Sequence, residues 1–390
     1  MPVWAVLALP GLVPSVLAQV SVEQSWDQEY RELAGQLDRL RSSPRALRDR
    51  LKAEALDPQA LVQSTDVDPL DVVLRRTQAL IHYYRRQGVV LSSSLGDYER
   101  RLNQLSAASA SAPLGDRKAL FLQACALRRA IAFANPLLNF DDIVCMLEQP
   151  GDQRIIEQAR AVWHGHSRGG GPLVIRDFRN KAIPEALLAG VKVASGPWTG
   201  RELTGKFSGL ELCFDGGELL FAATTGAEVW HLFRFKLATS HLAQLTDGPH
   251  DDFDPCQLPS GRIVFTSTRR GGVGRCVLTP QSLTYTLHSM EPNGSDIVCL
   301  SFHETNEWAP SVSHDGKLVY TRWDYVDRHW GTAHHFWQCF PDGRDPRNFH
   351  GNYPLPWSAM PGDVQPSQYG KEQLVYGRVL PGLFNSRLLS

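Results

Sequence analysis

Two regimes of hydrophobic patterning divide the chain. From about Ser21 to Ala130, apolar residues recur every three or four positions, the spacing of helices with one buried face. Leu33, Leu37 and Leu40 share such a face, Ser43-Pro44 interrupts it, and Leu47 with Leu51 resumes it. The clearest predicted helix opens at Asp68, a helix-capping residue type, has Pro69 in its first turn and closes at Gly88. Leu70, Val73, Leu74, Leu80, Ile81 and Tyr84 line its apolar face. The small residues from Ser106 to Pro113 read as a linker, and Asp116 to Ala130 as another amphipathic helix through Leu120, Phe121, Ala124 and Leu127.

After Pro136 the pattern shortens to strand-length runs. Phe140 to Leu147 and Gly171 to Arg176 read as strands, and from Asp247 to Tyr325 a strand-turn-strand phrase occurs twice. DDFDPCQLPSGRIVFTSTRR (251–270) aligns with NEWAPSVSHDGKLVYTRWDY (306–325); Pro255 matches Pro310, Gly261 matches Gly316 and Phe265 matches Tyr320, all 55 apart. Arg262 to Thr266 and Lys317 to Thr321 have the β-branched and aromatic content of strands. Ser260-Gly261 and Asp315-Gly316 supply turns, because glycine adopts positive φ at little cost. A second hairpin follows each phrase, turning at Asn293-Gly294 and at Asp342-Gly343. Each unit is therefore about four short strands, one blade of a propeller. Weaker copies at Gly217 to Phe221 and Gln373 to Arg378 extend the series. The expected blades are 134–206, 207–250, 251–305, 306–361 and an incomplete one from 362, so the expected ring is a truncated one, the alternative being closure as an irregular small ring.

These stretches resemble the TolB-type propeller repeat and, more narrowly, the middle domain of the hydrazine synthase alpha subunit family. The resemblance is carried by LTDGPHDDFDPCQLPSGRIVFTSTRRGGVGRC, TYTLHSMEPNGSDI, LSFHETNEWAPSVSHDGKLVYTRWDYVDR and AHHFWQCFPDGRDPRNFHGNY, about residues 245–353, and more weakly by 132–175. It implies an extracytoplasmic six- to eight-bladed propeller; with the helical pattern upstream, the expected fold is mainly β, a TolB-like β-propeller of about five recognisable blades preceded by an α-helical N-terminal region. It does not imply hydrazine chemistry. Covalent c-type haem needs a Cys-x-x-Cys-His run, and no two of the seven cysteines stand three apart.

At 390 residues the chain has room for two domains. The predicted layout is a signal peptide over 1–18, a helical region over 19–133 and the propeller over 134–390. Met1 to Ala18 is apolar and uncharged, and Val16-Leu17-Ala18 has the small-x-small form of a cleavage site, so a periplasmic or otherwise extracytoplasmic location is expected. Pro10 and Pro14 break the span, which is too short for a membrane helix, and no second candidate follows. The net charge of −1 argues against nucleic acid as a partner, since that needs a clustered basic face. Cys145 and Cys299 lie in apolar strands and read as buried thiols, whereas Cys256 and Cys276 flank one strand pair and could bridge.

Four features carry candidate chemistry. Gly165-His166-Ser167-Arg168-Gly169 spells a nucleophile elbow, but more glycine, a proline and a strand follow it rather than the helix that the elbow requires. His288, His303, His329, His334 and His335 fall within 48 residues, together with Glu304, Asp324 and Asp327. Imidazole with carboxylate suits a divalent metal such as zinc, and His303, Asp324 and His334 are the candidate ligands. His334 and His335 are adjacent, so on a strand only one can enter a given site. Asp247 to Asp254 is rich in carboxylates, which suits either calcium or the capping of turn amides between blades. Tryptophans are dense in the later blades: Trp308, Trp323, Trp330, Trp337 and Trp357. His288, Glu304, Trp323 and His335 are the candidate ligand face. The expected function is an exported binding or scaffold propeller that engages a protein or small ligand through its blade loops. The alternative is a metal-dependent, redox-type subunit like the hydrazine synthase alpha family but without its own haem.

Overall fold

The structure, a computed structural model, describes residues 5–10, 22–42, 58–148, 170–179, 183–225, 229–273, 283–323 and 334–350. The chain divides into two units: one holds 18–140 with 179–181, the other 1–17, 141–178 and 182–390.

The first unit is helical. It contains α1 (Val22–Ser42), α2 (Pro69–Gln87), α3 (Leu95–Ser111) and α4 (Arg117–Phe133). Helix α2 begins and ends where its capping residues dictate. Asp68 is extended (φ −154°) and its carboxylate accepts from the Leu70 amide, while Gly88 is left-handed (φ 64°) and returns its amide to the last turn. Leu70, Val73 and Ile81 on α2 pack against Leu33 and Leu37 of α1 and Phe121 and Leu127 of α4 in one core. Arg117, only 6% exposed, bonds the capping Asp68 through Nε (2.7 Å) and Nη2 (3.0 Å) and also reaches Asp71 and the Ser109 carbonyl. A buried guanidinium thus locks the start of α2 to α4. The linker expected at Ser106 to Pro113 is instead mostly helix. Alanine is the best helix former and serine a tolerable one, so the small residues extend α3 to Ser111.

The second unit is made of sheets; those among the described residues number four. Their strand orders are β1-β2-β3-β4, β5-β9-β8-β7-β6, β10-β11-β12-β13 and β14-β15-β16-β17. The first sheet comprises β1 (Ala5–Pro10), β2 (Ile143–Glu148), β3 (Gly171–Arg176) and β4 (Ile183–Ala186). In the second sheet, β6 (Phe207–Leu212), β7 (Glu218–Thr225), β8 (Val229–Lys236) and β9 (His241–Gln244) form an antiparallel meander. The third runs β10 (Asp252–Gln257), β11 (Ile263–Ser267), β12 (Thr286–Met290), β13 (Val298–Cys299); the fourth, β14 (Glu307–Val312), β15 (Leu318–Trp323), β16 (His334–Cys339), β17 (Arg347–His350). Two strands depart from the expected blades. Val193–Ser195 (β5) leaves the first sheet and pairs parallel with β9 at the edge of the second. Ala5–Pro10 pairs parallel with β2.

Successive sheets stack face to face. Leu219, Phe221, Phe233 and Phe235 of the second sheet meet Val144 and Met146 of the first. Its opposite face, with Leu220, Ala222 and Leu232, meets Ile263, Phe265 and Met290 of the third. Cys256, Val264 and Leu287 of the third meet Val312, Leu318 and Tyr320 of the fourth. A strand covered on both faces needs apolar side chains at odd and even positions alike, which is why Leu219 to Ala223 is a continuous run.

The contacts between sheets repeat at the spacing of the sequence. The Trp230 amide donates to Asp251 Oδ1 and, 55 residues on, the Tyr285 amide donates to Asn306 Oδ1, each at 3.1 Å. Leu232 donates to Thr246 Oγ1 and Leu287 to Ser301 Oγ, each at 3.0 Å, again 55 apart. The second hairpin of a sheet is sealed to its predecessor. Gly294 has φ +90° and a Cβ there would lie 2.3 Å from the Leu245 carbonyl oxygen; Gly343 has φ +83° and would meet the Leu300 oxygen at 2.1 Å. Glycine is therefore required twice over, by the turn and by the neighbouring backbone. Strands β6, β10 and β14 each carry a bulge, at 208–211, 253–256 and 308–311, and the bulged Asp254 carboxylate accepts from the Ala309 amide (3.2 Å) in the next sheet.

Candidate functional site

The connectors between the second, third and fourth sheets, 245–251 and 300–306, lie at one end, the loop end, where β10 and β14 begin. The tight turns at Gly216, Gly261 and Gly316 lie at the other. At the loop end, two acids hold equivalent places. Asp252 opens β10 and Glu307, 55 residues later, opens β14; their residues are 0% and 1% exposed.

Asp252 sits across the ladder from Ser267. Its Oδ1 accepts from Ser267 Oγ (2.6 Å) and Arg269 Nε (3.0 Å), and its Oδ2 from Arg269 Nη2 (2.7 Å). A buried carboxylate held at both oxygens by one guanidinium is an ion pair that needs no water. Arg269 also donates to the Asp247 carbonyl, so the pair ties the connector to the strand.

Glu307 lies opposite Arg322 in the ladder. Its Oε2 accepts from Ser301 Oγ, the same hydroxyl that receives the Leu287 amide. Burial pushes its carboxyl above the ordinary glutamate range, against the opposing influence of the Ser301 hydrogen bond and the His303 and Arg322 charges. The Arg322 guanidinium lies over the Trp337 ring, 4.1 Å from its centroid. Burial also pushes Tyr320 up, and the Cys339 thiol to about 12, so neither ionises near neutrality.

The histidines divide. His288, 2% exposed, is on β12, with Nδ1 3.0 Å from the Thr286 carbonyl and its ring 5.9 Å from that of Phe265. Donation to that carbonyl puts the proton on Nδ1 and leaves Nε2 as the lone-pair nitrogen. Burial lowers the pKa of His288, and of the equally buried His231, so both stay neutral at pH 7. His303 is half-buried in the connector before β14; its Nε2 is 2.7 Å from Thr305 Oγ1, and its carbonyl accepts from Arg270 (2.8 Å). Glu304 beside it is exposed, as is Phe302 at 76%. In the backbone register Trp323 pairs with His334 and Arg322 with His335, so His334, Trp323 and the His303 connector share the loop end of the fourth sheet. Asp324, Asp327 and His329 lie outside the described residues, as do 165–169, Cys276, Trp330 and Trp357. Among the described residues, no group of three or more His, Cys, Asp or Glu is placed to hold a metal ion.

Three carboxylates of the Asp247 to Asp254 stretch act within the stack: Asp251 and Asp254 accept amides of neighbouring sheets, and Asp252 pairs with Arg269. Reading the sequence missed Asp252 and Glu307 as a pair. Their signal was an acid at the same position of both copies, at the start of an otherwise apolar strand.

No family model matches the chain, and no curated protein matches it. Solved structures do. One is putative TolB from Agrobacterium tumefaciens, 15% identical, with 54% of this chain and 64% of that one covered at a TM-score of 0.36. Hydrazine synthase from Kuenenia stuttgartiensis is 13% identical, with 54% and 32% covered at a TM-score of 0.42. TolB from Acinetobacter baumannii is 12% identical, with 59% and 58% covered at 0.29. This chain therefore spans under two thirds of the length of each. No helix among the described residues is long and apolar enough to cross a membrane.

Proposed function

We propose that the sheet unit is a TolB-like β-propeller that works as an exported binding or scaffold module, engaging a protein or small ligand through its loop end. The observation that carries this reading is the succession of four- and five-stranded sheets, each stacked on the one before it, with the last two seams joined by hydrogen bonds that repeat after 55 residues. Such a stack fixes the loop ends as one rigid surface, the arrangement from which binding propellers work. At that surface Phe302, His303 and Glu304 stand on one connector, an aromatic beside two polar side chains. Cleavage after Ala18 would leave the first sheet without β1. Chemical cross-linking of the secreted chain in periplasmic extract, with and without the triple change of Phe302, His303 and Glu304 to Ala, tests the proposal. A partner that is cross-linked at the loop end and lost in the variant supports it. Identical cross-links from both chains would sink it.

A metal-dependent subunit is a second reading, favoured by the shared position of the His303 connector and His334 at one sheet end. Elemental mass spectrometry of the chain from residue 19 should then find about one zinc-type ion per chain, lost in His334→Ala. A metal content unchanged by that substitution would reject it.

A further inference from the structure

We propose that a cleft between the first and second sheets, at the tight-turn end and separate from the loop surface, binds the side chain of a lysine or arginine from a partner polypeptide. The cleft measures about 450 Å³, within the size range of small-ligand sites. One wall is β3 and β4, the other the turn after β6 and the end of β8. Val174, Leu187, Phe235 and Leu237 give it an apolar floor. Its charged groups are Arg176, Glu185 and Asp215, and Ser240 also lines it. Arg176 is already committed: Nη1 is 2.7 Å from Asp142 Oδ2 and Nε is 3.2 Å from Glu185 Oε2. Asp142 alone matches the Arg176 charge, so Glu185, 54% exposed, and Asp215 leave the cleft anionic. Asp215 points one oxygen at the Gly217 amide (2.9 Å) and is exposed to solvent. An apolar floor under an anionic rim fits a cation on an aliphatic stem, which buries its methylenes and keeps its charge at the mouth. An anionic or purely apolar side chain would satisfy only one of these features.

The test is saturation-transfer NMR of the full chain with blocked tripeptides of sequence Gly-X-Gly, where X is Lys, Arg, Gln or Glu. Lys and Arg peptides should bind, Gln about two- to fivefold more weakly, as expected for loss of one exposed charge pair, and Glu not at all. The double substitution Glu185→Gln with Asp215→Asn, in which asparagine keeps an acceptor for the Gly217 amide, should weaken Lys binding to the Gln level. A Phe302→Ala chain should bind the Lys peptide as the parent does, which separates this site from the loop surface. Equal binding of Lys and Gln, or a Lys affinity untouched by the double substitution, would overturn the proposal.

Discussion

The second-to-third and third-to-fourth sheet seams place a buried acid at the same repeat position and satisfy it in opposite ways. Asp252 is paired at both oxygens with Arg269 and bonded by Ser267. Glu307 has a serine hydroxyl and a raised pKa. The shorter acid is paired with a guanidinium, whereas the longer one is biased toward its proton. What the repeat conserves here is a hydrogen-bond acceptor at the start of the first strand of the sheet, and charge is left to each seam. A buried ion pair is rigid but costly to break, because the survivor keeps its desolvation penalty. A buried acid that can take up a proton avoids that penalty and acquires a dependence on pH instead.

The comparison can be broken most severely at Arg269. Arg269→Ala should destabilise the sheet unit by about 3–5 kcal/mol, since it strands Asp252 without a counter-charge. Urea melts would read this, and adding Asp252→Asn should recover much of the loss. Matching effects in the single and double variants would show that the ion pair is not what the seam depends on.

A smaller test sets Ser301 against Thr246, which both accept the third-strand amide of their sheets. Thr246→Ala should cost on the order of 1 kcal/mol and Ser301→Ala about 2, because only Ser301 also serves a buried carboxyl. Amide exchange at Leu232 and Leu287 would show the difference locally. Equal protection losses would mean that the hydroxyl on Glu307 contributes nothing.

The smallest effect sharpens the Glu307 side. Its folded carboxyl lies above the ordinary value of 4.5, so its contribution to stability is complete below that value and is lost as pH rises through the raised one. Glu307→Gln should cost under about 1 kcal/mol at pH 4 and make the chain the more stable of the two at pH 9. Parallel pH–stability curves for the two chains would refute the assignment.

The sequence made the elements legible wherever local chemistry settles them. Asp68 and Gly88 bound α2, and the glycines of 261, 294, 316 and 343 stand in hairpin turns with positive φ. The 55-residue offset reappears in hydrogen bonds between sheets. Ser106 to Ser111 was misread because small residues serve helices and linkers alike, and tertiary packing decides between them. The role of Asp252 was hidden for a different reason. Its partner Arg269 comes just after the next strand, and a carboxylate among three others in an eight-residue stretch looks like a surface cluster until the fold buries it. The pairing of β5 with β9 rather than with the first sheet had no signal in the pattern at all.

The sealing of Gly294 onto Leu245, and of Gly343 onto Leu300, changes what counts as one copy of the repeat. A gene segment cut at the sheet boundaries would carry each glycine away from the carbonyl that demands it. The transferable unit instead begins near the end of one sheet and closes on the second hairpin of the next. Chimaeras joined inside a sheet, upstream of Leu245 or Leu300, should therefore assemble where those joined at the connectors fail, and duplication within this lineage would have tolerated the same offset joints.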